Sequence, residues 1–273
     1  MKLGQYLGQP VVINPDAHGL NRQRILGIAQ LSEVLDQLPK QLELAAPEPL
    51  DSLQKLTAPI VTSKQIFGVG FNYRDHMLEL HTQAPKQPNI FTKFVSSITG
   101  PNPTVKIPSP QTDWESELVV VIGNGGRDIP RSEAEQHIAG YMVGQDLSDR
   151  QLQFANAKPQ FSLAKSYAGF SPIGPWITTP DEIKDIGALK ITTQVNGVVK
   201  QTSTLKNLIF DSGDLVHYLS QITELYPGDL IFTGTPGGVG YGRQPKEFLH
   251  AGDTLVSEIE QLGRLTIQMT ASL

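Results

Sequence analysis

The stretch DWESELVVVIG, residues 113–123, restricts the fold more than any other part of the chain. Val119, Val120, Val121 and Ile122 run together, and Gly123-Asn124-Gly125-Gly126 follows as a turn. Consecutive branched residues bounded by a turn read as a buried strand. Glu115 and Glu117 stand at its head. Residues i and i+2 share one face of a strand, so both carboxylates point the same way, roughly 7 Å apart along the chain. Two like charges so close to a core need a cation, a proton or solvent. Either the pair lies on a solvent-facing edge, or a positive group lies between them.

The remaining pattern is that of a mixed α/β, β-rich fold with few helices. From Gln65 onward, QIFGVGFNY, TVKIPSP, WESELVVVIG and GYMVGQDLS read as strands. KITTQVNGVVKQTST reads as a hairpin turning at Asn196-Gly197. LIFTGTP follows the turn Pro227-Gly228-Asp229, and DTLVSEIEQLGRLTIQM closes the chain as two strands. Ser132 to Glu135 fits a capping box opening a short helix to Ala139. Asp211 or Ser212 caps a helix carrying Leu215, Leu219 and Ile222. Residues 1–62 read as a small N-terminal domain and linker, and residues 63–273 as a second, larger domain. In the first, LGQPVVIN is a strand or hairpin, and ILGIAQLSEVLDQLPKQLELA has helical spacing with Ile25, Ile28, Leu31 and Leu35 on one face.

Composition removes several classes of function. With no cysteine, there is no disulfide framework, iron–sulfur cluster or thiol nucleophile. This suits a reducing compartment, and a cytoplasmic location is expected. The start has no apolar region of signal-peptide type, and no stretch approaches the roughly 20 apolar residues of a membrane span. A net charge of −5 argues against nucleic acid as a partner. A small molecule is the expected ligand.

Asp146, at the end of the apolar strand GYMVG, can reach across to Glu115 and Glu117. Two glutamates and an aspartate make an all-oxygen set that suits Mg²⁺, Mn²⁺ or Ca²⁺ rather than zinc. His76 and Glu79 in FNYRDHMLEL are three apart. On a helix they would share a face, either as a water-activating base with its orienting carboxylate or as a surface pair. Lys165 in LAKSYAGFSPIGPW is flanked by apolar residues. It either meets an anionic partner or reaches solvent past its stem. TGTPGGVGYG lacks the ending of a P-loop, and Gly68-Val69-Gly70 lacks the third glycine of a dinucleotide fingerprint. Backbone N–H groups of either stretch, or a hydroxyl such as that of Thr235, could still meet a small anion. There is no HExxH spacing and no GxSxG elbow.

Seven motifs in order, GVGFNYRDHMLEL, PNIFTKFVSSITGP, DWESELVVVIG, GYMVGQDLSDRQLQ, KSYAGFSPIGPW, VNGVVKQTSTLKNLIF and PGDLIFTGTPGGVG, make residues 64–270 resemble the fumarylacetoacetate hydrolase family. The resemblance implies a catalytic domain with a mixed β-sheet rolled on itself, in a homodimer. It implies one Mg²⁺ or Mn²⁺ per subunit on Glu115, Glu117 and Asp146. It implies catalytic roles for Lys165 and for the His76–Glu79 dyad, and substrate-binding roles for Arg150, Gln153, Gly234 and Thr235. The implied substrates are acylpyruvates and related 2-oxo or 2,4-dioxo acids, and the implied reaction is metal-dependent C–C bond hydrolysis through an enolate. Decarboxylation of oxaloacetate, isomerisation or hydration of oxo-enoic acids, and non-catalytic binding of a small acid are the alternatives on the same scaffold. The chain departs from the family's usual residues at Ala168, commonly Asp, and at Gln145, commonly Asn.

Overall fold

Every residue of Ser116–Ile122 is buried. The computed structural model describes residues 1–16, 19–38, 42–75 and 84–271. The chain begins with strands β1 (Lys2–Tyr6), β2 (Gln9–Asp16), β3 (Gly19–Arg24), β4 (Glu48–Pro49) and β5 (Leu56–Thr57). Strands β6 (Ile66–Gly70), β7 (Asn89–Thr92), β8 (Ile98–Thr99) and β9 (Thr104–Ile107) follow. The middle supplies β10 (Thr112–Asp113), β11 (Ser116–Ile122), β12 (Ile138–Gln145), β13 (Ser148–Asp149), helices α1 (Arg150–Gln153) and α2 (Phe161–Ala164), and β14 (Ser171–Thr178). The last third contains β15 (Lys190–Val195), β16 (Val198–Thr204), α3 (Ser212–Ser220), β17 (Leu230–Phe232), β18 (Thr254–Ile259) and β19 (Gly263–Ala271).

Among the described residues these strands form a twelve-stranded sheet, ordered β4-β3-β2-β1-β14-β12-β11-β17-β6-β7, with β5 on β1 and β8 on β14. A five-stranded sheet, β16-β15-β18-β19-β9, packs on one face of it. The sheets are mixed: β17–β6, β8–β14 and β19–β9 are parallel pairs among antiparallel neighbours. The period-2 alternation of a strand explains why β11 is apolar throughout. Leu118, Val120 and Ile122 meet Ile191, Leu255 and Ile267 of the smaller sheet. Val119 and Val121 turn the other way, to Leu3, Met142, Leu230 and Phe232. The strand thus serves two cores, and Glu117 has the parity of Val119 and Val121.

Strands β11 and β12 approach so closely that one position between them admits no side chain. A Cβ on Gly144, opposite Glu117, would lie 2.3 Å from Val119 Cγ2 and 2.8 Å from Phe232 Cε1. Gly144→Ala is therefore expected to destabilise the fold by about 1–3 kcal/mol, the usual cost of overpacking. A urea midpoint equal to that of the wild type would contradict this packing.

The first strands lengthen the large sheet: β1 pairs with β14 in the register Lys2↔Thr178 and Leu3↔Ile177. The helix expected from Ile25 to Ala45 does not form in its described part. Ile25 bridges Leu44, and two 3-10 turns, Leu31–Glu33 and Leu35–Gln37, take its place. Gly27 sits at φ +76°, a conformation that ends a helix before it begins. Ile25, Leu31 and Leu35 still enter the core, so the apolar spacing reports burial rather than helix. The helix expected from Ser132 shrinks to a 3-10 turn at Ala134–His137, because β12 already starts at Ile138. The Asn196-Gly197 hairpin forms as expected, with Val195 paired to Val198. Asp211 caps α3, which ends before Ile222. No helix among the described residues is long and apolar enough to cross a membrane.

Candidate metal centre and active site

The acidic face of β11 meets the end of β12. Ser116 pairs with Gln145 and Glu117 with Gly144, which places Asp146 immediately beyond the last paired rung. One carboxylate oxygen from each of Glu115, Glu117 and Asp146 lies within 4.8 Å of the other two, and all three side chains are buried. The solvent-facing alternative for the glutamates is thereby removed.

Three cations answer part of this charge. Lys165 follows α2 and places Nζ 2.7 Å from Glu115 Oε2 and 2.5 Å from Asp146 Oδ2. Arg150 opens α1, whose N-cap is Asp149. Its guanidinium lies 2.6 Å from Glu115 Oε1 and 2.8 Å from Asp113 Oδ2, and it donates to Gln153 Oε1 at 2.9 Å. Lys93, just past β7, donates to Asp146 Oδ1 and to the backbone oxygens of Lys165 and Phe170. Burial alone would raise the Glu115 pKa, but Lys165 and Arg150 outweigh it and lower the value to about 2. Burial pulls the Lys165 ammonium down, and Asp146 and Glu115 more than restore it. For Lys93 burial prevails over Asp146, and its pKa falls.

Glu117 is different. Among the described ion pairs none includes it, and Gly234 N–H donates to its Oε2 at 2.8 Å. Burial, then Asp146 and Glu115, push its pKa well above the ordinary carboxylate range. A buried oxygen cluster with one carboxylate lacking a cation fits a hard divalent ion. The trio is the donor set that would hold it.

The centre borders a cavity of about 220 Å³. Glu115, Arg150, Gln153, Lys165 and Thr235 contribute its polar wall. Two ring pairs contribute apolar walls: Phe91 with Phe161, centroids 5.6 Å apart, and Phe154 with Tyr241, 4.8 Å apart. Arg150, Gln153, Lys165, Gly234 and Thr235, expected from separate motifs, are therefore brought to one place. His76 and Glu79 lie outside the described residues. The two departures from the family pattern are accommodated. Glu115 and Asp146 orient Lys165, whatever stands at Ala168. Gln145 accepts the Glu115 N–H and donates to Ser257 Oγ at 2.9 Å.

Sequence reasoning missed Lys93 and Asp113. Lys93 is the one charge inside NIFTKFV, a weak signal of burial. Asp113 precedes Glu115 by two and carries a third acidic residue on the same alternation. Lys93→Met would leave Asp146 without one of its two ammonium partners. Breaking a buried pair in this way typically costs ~3–5 kcal/mol, so the metal-free variant should unfold at a clearly lower urea concentration. Stability equal to wild type would show that Lys93 is not a charged partner of Asp146.

Comparison with known proteins identifies the family. The family described as Fumarylacetoacetate (FAA) hydrolase C-terminal matches residues 65–270. The mitochondrial oxaloacetate tautomerase Fahd2a of Rattus norvegicus is 42% identical over 224 residues, covering 81% of this chain and 71% of the relative. The solved structure of a fumarylacetoacetate hydrolase from psychrophilic Exiguobacterium antarcticum superposes with a TM-score of 0.88 at 32% identity, covering 100% of both chains. A 5-carboxymethyl-2-hydroxymuconate delta-isomerase from Mycobacterium smegmatis does so with a TM-score of 0.83 at 31% identity, again over 100% of both. The name of the rat relative places that protein in the mitochondrion, in contrast to the cytoplasmic location expected here from composition. Matched by the family model over residues 65–270, about three quarters of its length, the chain belongs to the fumarylacetoacetate hydrolase family.

Proposed function

We propose that the protein is a divalent-metal-dependent enzyme that forms and protonates the enolate of a 2-oxo acid, so that it interconverts keto and enol forms. The observation that carries this reading is the place of Lys165. Its ammonium sits at the edge of the acidic trio and borders the cavity. A fixed cation there stabilises negative charge as it develops on an enolate oxygen. Mg²⁺ or Mn²⁺ on Glu115, Glu117 and Asp146 would supply Lewis-acid polarisation of the 2-oxo group. Arg150 and Lys165 hold the Glu115 carboxylate ionised and oriented. The ring pairs flanking the cavity offer apolar walls to the carbon chain of such an acid. The names of two relatives, a tautomerase and a delta-isomerase, both describe the movement of a proton and a double bond.

A second reading is C–C hydrolysis of a 2,4-dioxo acid such as an acylpyruvate. It is favoured by His76 and Glu79, whose spacing suits a base that deprotonates water for attack at C4. Both readings use one enolate-stabilising centre and differ in whether water attacks. The test follows oxaloacetate enol–keto conversion and acetylpyruvate cleavage with Mg²⁺ or Mn²⁺, each repeated with EDTA. Metal-dependent enol–keto conversion is the expected result. Cleavage of acetylpyruvate would establish the hydrolase instead, and turnover unaffected by EDTA would remove the metal from both readings.

A further inference from the structure

Asp113 is fully buried and does not line the cavity, and the reaction above makes no use of it. Its Oδ1 accepts from Trp114 N–H at 2.8 Å and from Gly240 N–H at 2.7 Å. Its Oδ2 accepts from Tyr241 N–H and from Arg150 Nε–H, each at 2.9 Å. Arg150 Nη2 lies 2.8 Å from the same oxygen. An ionised carboxylate has about four lone-pair sites and no donor, so its capacity is filled. Strand β10 sets it there. The register Thr112↔Asp149 and Asp113↔Ser148 puts Asp113 beside the start of α1, which Arg150 opens. From the other side the loop comes so close that a Cβ on Gly240 would lie 1.9 Å from Glu247 O and 2.7 Å from Asp113 Oδ1.

One carboxylate thus joins the strand leading into β11, the start of α1 and the loop that carries Tyr241. Two of these three reach the cavity: Arg150 and Tyr241 both line it. Phe154, whose N–H donates to Arg150 O at 3.1 Å, stacks on the Tyr241 ring. We propose that Asp113 is a positioning residue of the active site. It fixes the plane of the Arg150 guanidinium and ties the 239–242 loop to it, so the cation expected to meet the substrate and the ring wall beside it form one body. This assignment rests on the reading that the acidic trio and its cavity are the reactive centre. Balance of charge does not account for the arrangement. Arg150 already has Glu115 as a counter-charge at 2.6 Å, and a counter-charge needs no backbone N–H from a distant loop. What Asp113 adds is geometry: Nε and Nη2, on one edge of the guanidinium, both turn to a single oxygen.

Asp113→Asn, Arg150→Lys and the double variant test it. Asparagine has nearly the shape of aspartate but one acceptor oxygen. Whichever way its amide turns, the NH₂ faces the donors of Trp114 and Gly240 or those of Tyr241 and Arg150, and one side comes undone. Two quantities are read. One is amide hydrogen exchange of segment 239–242 in the metal-free protein, with segment 212–220 as the internal check on folding. The other is KM and kcat for oxaloacetate enol–keto conversion in the Mn²⁺-loaded protein. Asp113→Asn should exchange roughly 10-fold faster in 239–242, the scale of one lost hydrogen bond, with 212–220 unchanged. It should raise KM roughly 10-fold or more and change kcat by less than about threefold, the mark of lost uniform binding. Arg150→Lys keeps the charge but has no planar fork to hold, so adding Asp113→Asn to it should raise KM by no more than about twofold. A fall in kcat at constant KM, with faster exchange in 212–220 as well, would show a role in stability alone and overturn the proposal. A further tenfold rise of KM in the double variant would overturn action through Arg150, and unaltered exchange in 239–242 would overturn the tie to the loop. Should Asp113→Asn not fold, Asp113→Ser, smaller and polar, is read in the same way. If the wild-type protein turns over no 2-oxo acid, the functional reading falls, and the exchange measurement still decides for or against the tie.

Discussion

Glu117→Gln is expected to weaken Mn²⁺ binding by more than the ~10–100-fold typical of losing an outer partner of a metal ligand. In the same variant, the metal-free protein should melt at a higher temperature than wild type. Both effects have one cause. The Glu117 carboxylate is buried beside Glu115 and Asp146, and its pKa is pushed well up by burial first and by those neighbours next. Gln keeps an oxygen for the Gly234 N–H and removes the charge. Without the ion, that removal relieves repulsion. A gain on the order of 1 kcal/mol would move the midpoint by roughly 2–4 °C in a chain of this size. With the ion, it deletes a ligand. Calorimetric titration with Mn²⁺ and thermal melting in EDTA measure the two arms. Unchanged affinity would contradict the ligand assignment, and a lower metal-free midpoint would contradict the charge argument.

Lys165→Met should reduce kcat by ~10²–10³-fold, the range seen when one preorganised donor to a developing oxyanion is lost. The competing explanation is that Lys165 merely balances Glu115 and Asp146, from which Nζ lies 2.7 and 2.5 Å. The two differ once the metal is bound. A counter-charge would be replaced by the ion, so turnover at saturating Mn²⁺ would survive the substitution. An enolate-stabilising ammonium cannot be replaced in that way, so turnover would stay low while Mn²⁺ affinity held or rose. Steady-state rates across a Mn²⁺ series, with affinity measured in parallel, separate these outcomes.

The parts of the site that were legible in the sequence are those fixed by local periodicity. Glu115 and Glu117 are two residues apart on a strand, and the alternation alone sets them on one face. Asp146 follows a strand whose apolar run marks its end. The Asn196-Gly197 turn is equally local. Lys93 escaped because its role arises from tertiary approach. It finds Asp146 53 residues on. Such a distance leaves no periodic trace. The misread helix after Ile25 shows the converse. Its apolar spacing was real, but the residues reach the core through turns set by Gly27 and by the pairing of Ile25 with Leu44. Spacing reports which side chains are covered, not the backbone that delivers them.

The two-sided burial of β11 bears on how such a centre can change by descent. Its carboxylates share a parity with the residues of one core, and Ser116 and Leu118 share a parity with the other. Removing or adding one residue within the strand would turn the glutamates into the opposite core and bring Ser116 and Leu118 to the metal side. No intermediate placement exists. The reactive end of the strand therefore tolerates exchange of residues but not slippage. Variation in what the enzyme acts upon must enter through the loops and rings around the cavity, while the frame of the strand stays in phase.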